Sequence, residues 1–96
     1  MVFGNMYTHK IACANNNGAT QSFANVAATQ KLFKIISTRD VYIKLQPASN
    51  TDAADNSDYL IKANVEVEFL VGRGLDRIVI RNESGNAAAI HVAVMY

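Results

Sequence analysis

The chain has 96 residues, of which 50% are hydrophobic and 18% charged, and its formal net charge is +1 at pH 7. That balance excludes a disordered tail, which needs low hydrophobicity and high net charge, and a nucleic-acid binder of high pI. It also excludes a membrane helix, because the longest uncharged stretch, Ile11 to Gln30, is broken by Asn15, Asn16, Asn17, Gly18, Gln21 and Asn25.

The length predicts one domain over residues 1–96, with an accessible surface of about 5,400 Å² folded against about 15,000 Å² unfolded. Burying roughly 64% of the surface leaves a domain of this size marginal on its own, so an additional interface would stabilise it. Met1 to Lys10 lacks a basic start followed by an apolar run, and no signal peptide is expected. The single Cys13 permits no internal disulfide, which fits synthesis in a reducing cytosol.

Hydrophobic residues recur with a period of two. Met6 to Ala12 and Gln21 to Val26 predict strands on either side of Asn15-Asn-Asn-Gly18, which has the composition of a hairpin tip. Ala27 to Phe33 reads as a loop leading into a strand, and Ser37 to Asp40 as the turn before the next one. In Val41 to Gln46, Val41, Ile43 and Leu45 point one way and Tyr42, Lys44 and Gln46 the other; Pro47, with no N–H for the ladder, ends it. Ala48 to Ser57 is the longest loop. Val65 to Val71 alternates again, with Val65, Val67, Phe69 and Val71 opposite Glu66, Glu68 and Leu70. Gly72-Arg-Gly74 and Asn82 to Asn86 read as hairpin turns around Asp76 to Arg81, whose inward pair is Ile78 and Ile80. The last strand, Ala89 to Tyr96, turns Ile90, Val92, Val94 and Tyr96 inward. Six to eight short strands at this spacing predict an all-β fold, an antiparallel, jelly-roll-like β-sandwich.

None of the chemistry-bearing residues forms a recognised catalytic pattern. Cys13 with His9 or His91 would need a thiol beside a base, whereas Cys13 reads as a small apolar residue and His91 lies on the face opposite Ile90 and Val92. Glu66 and Glu68 share a strand face at about 7 Å, a separation compatible with glycoside hydrolysis, but on a polar face they should be solvated and paired with Lys44 or Arg81. Asp52, Asp55 and Asp58 are oxygen donors without the alternate-residue spacing of a calcium loop. Asn82-Glu-Ser84 matches a glycosylation sequon, and with no secretory signal the match reads as chance. No catalytic, cofactor or metal residues are assigned. Charge is uneven along the chain: residues 1–48 carry five basic and one acidic residue (5 − 1 = +4) and residues 49–96 four basic and seven acidic (4 − 7 = −3). Such polarity suits contact between unlike patches of neighbouring copies, unless folding interleaves the halves.

The order Val41 to Pro47, the polar loop Ala48 to Ser57, Tyr59-Leu-Ile-Lys-Ala63, Val65 to Val71, Gly72-Arg-Gly74, Leu75 to Ile80 and a final Ala-rich strand resembles small β-sandwich structural proteins of tailed-phage particles, including capsid decoration (cement) proteins. The resemblance covers residues 31–96. It implies a non-enzymatic virion protein, made in the host cytoplasm, that reinforces the capsid by bridging subunits. It further implies no cofactor, no contact with nucleic acid or membrane, the major capsid protein or other virion proteins as partners, and self-association, with trimers common. Residues 1–7 would then form an arm whose Val2, Phe3, Met6 and Tyr7 contact a partner. A tail, fibre or head-to-tail component is the structural alternative. A small carbohydrate-binding module is the alternative from another class, and it would require Tyr7, Tyr42 and Tyr59 to converge on one surface.

Overall fold

The computed structural model describes residues 3–26, 28–72 and 74–96. Eight strands follow one another: β1 (Met6–Cys13), β2 (Asn17–Ser22), β3 (Gln30–Ser37), β4 (Val41–Gln46), β5 (Tyr59–Ile61), β6 (Val67–Gly72), β7 (Arg77–Asn82) and β8 (Ala88–Met95). They form two four-stranded antiparallel sheets, ordered β1-β8-β3-β6 and β2-β7-β4-β5.

The ladders reveal how the chain is wound. β1 pairs with β8, β2 with β7, β3 with β6 and β4 with β5, so the two halves run back along each other as one long hairpin bent at the 47–58 loop. Successive rungs of that hairpin go to alternate sheets, and the β3–β8 and β4–β7 ladders close each sheet. This is the eight-stranded jelly roll, as the alternation anticipated. The folded surface is 5287 Å², close to the value expected from size.

Each strand's dry face enters the same core. Ile11, Phe33, Ile35, Ile90, Val92 and Val94 come from one sheet and Val41, Ile43, Ile61, Ile78 and Ile80 from the other. Phe23, wholly buried just beyond β2, closes one edge by meeting Phe33 edge-to-face at 5.5 Å. Such aromatic pairs stabilise by roughly 0.5–1.5 kcal/mol beyond their buried area.

Three local expectations are corrected. Asn15 to Gly18, Gly72 to Gly74 and Asn82 to Asn86 are not hairpin tips, because each joins strands of different sheets. Among the described residues β4–β5 is the sole connection between hydrogen-bonded neighbours. The second strand spans Asn17–Ser22 rather than Gln21 to Val26; Phe23 to Val26 is a turn in which the Val26 N–H donates to the Phe23 carbonyl at 2.9 Å. Val65 is 51% exposed rather than inward, since Asn64, at a left-handed φ of 62°, turns the chain just before it and the ladder begins at Val67.

Polar side chains fasten one end of the sandwich. Asn82 is fully buried, its Nδ2 donating to the carbonyls of Ala14 (3.2 Å) and Asn86 (2.8 Å), its Oδ1 accepting from the Ser84 N–H (3.0 Å) and Oγ (2.8 Å). With both ends of the amide engaged, this sequon asparagine is inaccessible to modification in the folded chain. At the same end the exposed Asp40 accepts from the Ala63 N–H at 2.7 Å and from Lys62 Nζ at 3.1 Å, tying the β3–β4 turn to the segment after β5.

Candidate functional site

The outer faces of the two sheets are built differently. On β2-β7-β4-β5, the 47–58 loop folds back as a roof. Lys44 Nζ donates to the Ala53 carbonyl at 3.1 Å, and Gln46 Nε2 to the Asp52 carbonyl at 3.2 Å. The loop's own Ala54 is 6% exposed, and Val79 of β7 is 2% exposed although it points away from the central core.

The outer face of β1-β8-β3-β6 has no such roof among the described residues. Its register lines up side chains in rows across all four strands. One row is apolar throughout: Met6 opposite Met95, Met95 opposite Leu32, Leu32 opposite Leu70. Met6 is 64% and Leu70 59% exposed, with Met95 and Leu32 half-buried between them. The next row runs Thr8, Ala93, Lys34, Glu68, and the third Lys10, His91, Ile36 and then Glu66, one step before β6. An open groove of about 430 Å³ runs along the β1–β8 side of these rows and reaches Lys34, Ile36 and Glu66, leaving Leu32 and Leu70 outside it. Isolated surface apolars are ordinary, but a continuous stripe bordered by charges is the mark of an interaction surface.

The candidate partner-contact residues divide along this geometry. Met6 begins the apolar row. Tyr7, on the opposite face of β1, stacks on His9 at 6.4 Å and meets Phe23 edge-on at 6.1 Å. Phe3 is half-buried, Asn5 already exchanges backbone hydrogen bonds with Tyr96, and Val2 lies outside the described residues.

Groups that might carry chemistry are kept apart or neutralised. Cys13 is buried, burial pushes its thiol pKa up, and its Sγ lies 3.4 Å from the Asn17 carbonyl. His91 is exposed on the outer face. His9 shares Cys13's face of β1 but stands four residues away, about 13 Å along a strand. Glu66 and Glu68 are exposed and both pair with Lys34, at 3.6 and 3.8 Å; Lys44, one of the expected partners, pairs instead with Asp58. Asp55 accepts from the Ser57 N–H and hydroxyl, which hold its pKa below 3.8. No group of three His, Cys, Asp or Glu among the described residues could hold a metal. The three tyrosines occupy separate surfaces: Tyr7 on edge strand β1, Tyr42 on the outer side of β4, and Tyr59 on edge strand β5 against Phe69. The stacking platform of a carbohydrate module is not formed.

No protein-family model matches the chain, and neither does any curated protein. Among solved structures, the coat protein of tobacco streak virus is similar with a TM-score of 0.49 at 10% sequence identity, over 100% of this chain and 90% of that one.

Proposed function

We propose that this protein is a non-enzymatic structural component of a viral particle, a decoration or cement subunit that binds the outside of a capsid and bridges its subunits. One observation carries the reading: the apolar row Met6–Met95–Leu32–Leu70 lies open on one sheet while the other sheet is roofed by its own loop. A short-looped sandwich with a bare, ordered sheet face is completed by another protein surface, and the marginal core of so small a domain gains from that coverage. The apolar row, flanked by the Thr8–Ala93–Lys34–Glu68 row and beyond it by Lys10 and Glu66, has the anatomy of an interface core and rim.

In this reading Val2, Phe3, Met6 and Tyr7 contribute to the partner contact, and the partners are the major capsid protein or other virion proteins, further copies of this chain included. The protein acts in the virion after synthesis in the host cytoplasm, without cofactor, nucleic acid or membrane. Purified particles, probed with an antibody to this chain and imaged by electron microscopy, test the proposal. Regular density on the capsid exterior is expected. Density confined to the tail or the head-to-tail junction replaces the decoration role by that of a tail component. Absence from particles in cells that make the protein abundantly overturns the virion role. A hydrolytic activity abolished by Glu66→Gln with Glu68→Gln would overturn the non-enzymatic assignment.

A further inference from the structure

We infer that the β1-β8-β3-β6 face is a two-fold self-association surface on which a second copy of this chain packs face to face, with Lys10 of each copy opposite Glu66 of the other. The inference rests on reading the molecule as an assembling structural protein, and it names the occupant of the same face. A two-fold axis can lie in the plane between two stacked sheets either across the strands or along them. An axis across the strands sets each strand over its own copy with the rows inverted, so the apolar row meets the Lys10–Glu66 row. An axis along the strands keeps the rows level and reverses the strand order. β1 then lies over β6 of the other copy, and β8 over β3.

The second arrangement is complementary in the first and third rows, while the middle row sets Thr8 over Glu68 and Ala93 over Lys34. Met6 meets Leu70 and Met95 meets Leu32, closing the apolar row on itself. Lys10 meets Glu66 twice, once at each border. Lys10 has no carboxylate within salt-bridge distance in its own chain among the described residues, whereas Glu66 sits 3.6 Å from Lys34 at the rim. A closed, isologous interface of this kind needs each residue to find its match in an identical surface. Four strands at about 4.8 Å spacing and eight residues at about 3.3 Å give a face of roughly 500 Å² per copy, about 1,000 Å² in all, the lower bound for a specific interface.

Two charge-reversed chains test the pairing. Lys10→Glu alone sets Glu66 opposite a carboxylate at both borders, and Glu66→Lys alone sets Lys10 opposite an ammonium; each should weaken self-association at least about tenfold by sedimentation equilibrium. Mixed together, the two variants restore both opposite-charge contacts and should form a heterodimer of about wild-type affinity. Leu70→Asp should abolish association while circular dichroism shows an intact fold. A wild-type chain that stays monomeric up to about 1 mM, where an interface of even −4 kcal/mol would be half occupied, overturns the inference. So does a trimer, or a mixture that associates no better than its components. A dimer that is absent from particles overturns the virion role and leaves the pairing standing.

Discussion

Replacing Asn82 by alanine removes four hydrogen bonds of 3.2 Å or shorter from a side chain with no solvent exposure. Each such bond contributes about 1 kcal/mol net, and a buried partner left unsatisfied costs about 1–3 kcal/mol. The Ala14 carbonyl is part-buried, whereas Asn86 and the Ser84 hydroxyl stand near water and can be rehydrated, so the sum settles at about 2–4 kcal/mol. For a domain of this size each kcal/mol lowers the melting temperature by about 4–8 °C, a fall of about 10–25 °C in all. Asn82→Asp should be no better: it keeps the acceptor for Ser84 but turns a carboxylate oxygen toward the carbonyls of Ala14 and Asn86. Ser84→Ala, which removes only the hydroxyl, should cost about 1 kcal/mol. Thermal and urea denaturation followed by circular dichroism measure all three. A loss below about 0.5 kcal/mol for Asn82→Ala would refute the claim that this side chain clasps the β1–β2 and β7–β8 connections together.

Asp40 has its pKa held below 3.8 by the Ala63 N–H and then by Lys62, so its contribution is present above pH 3.8 and is lost as pH falls through the folded value. The difference in urea midpoint between the native chain and Asp40→Asn should therefore shrink below about pH 4; a difference unchanged down to pH 2 contradicts the tie. Cys13, buried with a raised pKa, should react with iodoacetamide at pH 8 at least about a hundredfold more slowly in the folded chain than in denaturant, and equal rates would place the thiol at the surface. Val79→Ala should loosen the roof loop at a cost of about 1 kcal/mol, read as faster amide exchange over residues 48–58, while leaving self-association unchanged. Leu70→Gln should do the reverse, and similar effects of both substitutions on association would show that the two sheet faces do not divide their roles.

Alternation placed the strands and inward faces of β4, β7 and β8, but not the bounds of β2 or the direction of Val65. Val41, Ile43, Ile78, Ile80, Ile90, Val92 and Val94 are buried where their spacing put them, because a single register step would have exposed each set. Pairing was not legible. Asn and Gly at 15–18, 72–74 and 82–86 mark where the chain can reverse, with Asn16 at φ 51° and Gly74 at φ 96°, but a reversal joins either neighbours in one sheet or strands of two facing sheets. In this fold it does the second, and the choice is made by which hydrophobic faces meet, a non-local fact. The apolar row escaped notice for the same reason. Leu70 stood out as an apolar residue on the face shared with Glu66 and Glu68, yet only the ladders bring Met6, Met95 and Leu32 level with it.

The winding also decides the fate of the uneven charge. Because strand n of the first half lies beside strand 9 − n of the second, basic and acidic halves are laid side by side rather than at opposite poles. Every ion pair among the described residues joins the two halves: Lys34 with Glu66 and Glu68, Lys44 with Asp58, Lys62 with Asp40. These exposed pairs each contribute little to stability, typically below about 1 kcal/mol. Their consequence is for recognition. They engage Lys34 of β3, Lys44 of β4 and Asp58 of the 47–58 loop within the chain and leave Lys10, on edge strand β1, with no carboxylate beside it among the described residues. Lys10 lies at the border opposite to Glu66, one row beyond the Thr8–Glu68 row that adjoins the apolar one. On the β1-β8-β3-β6 face the +4/−3 division leaves Lys10 at one border and Glu66, shared with Lys34, at the other. On that scale charge fixes the register of a partner while the Met6–Leu70 row supplies the area.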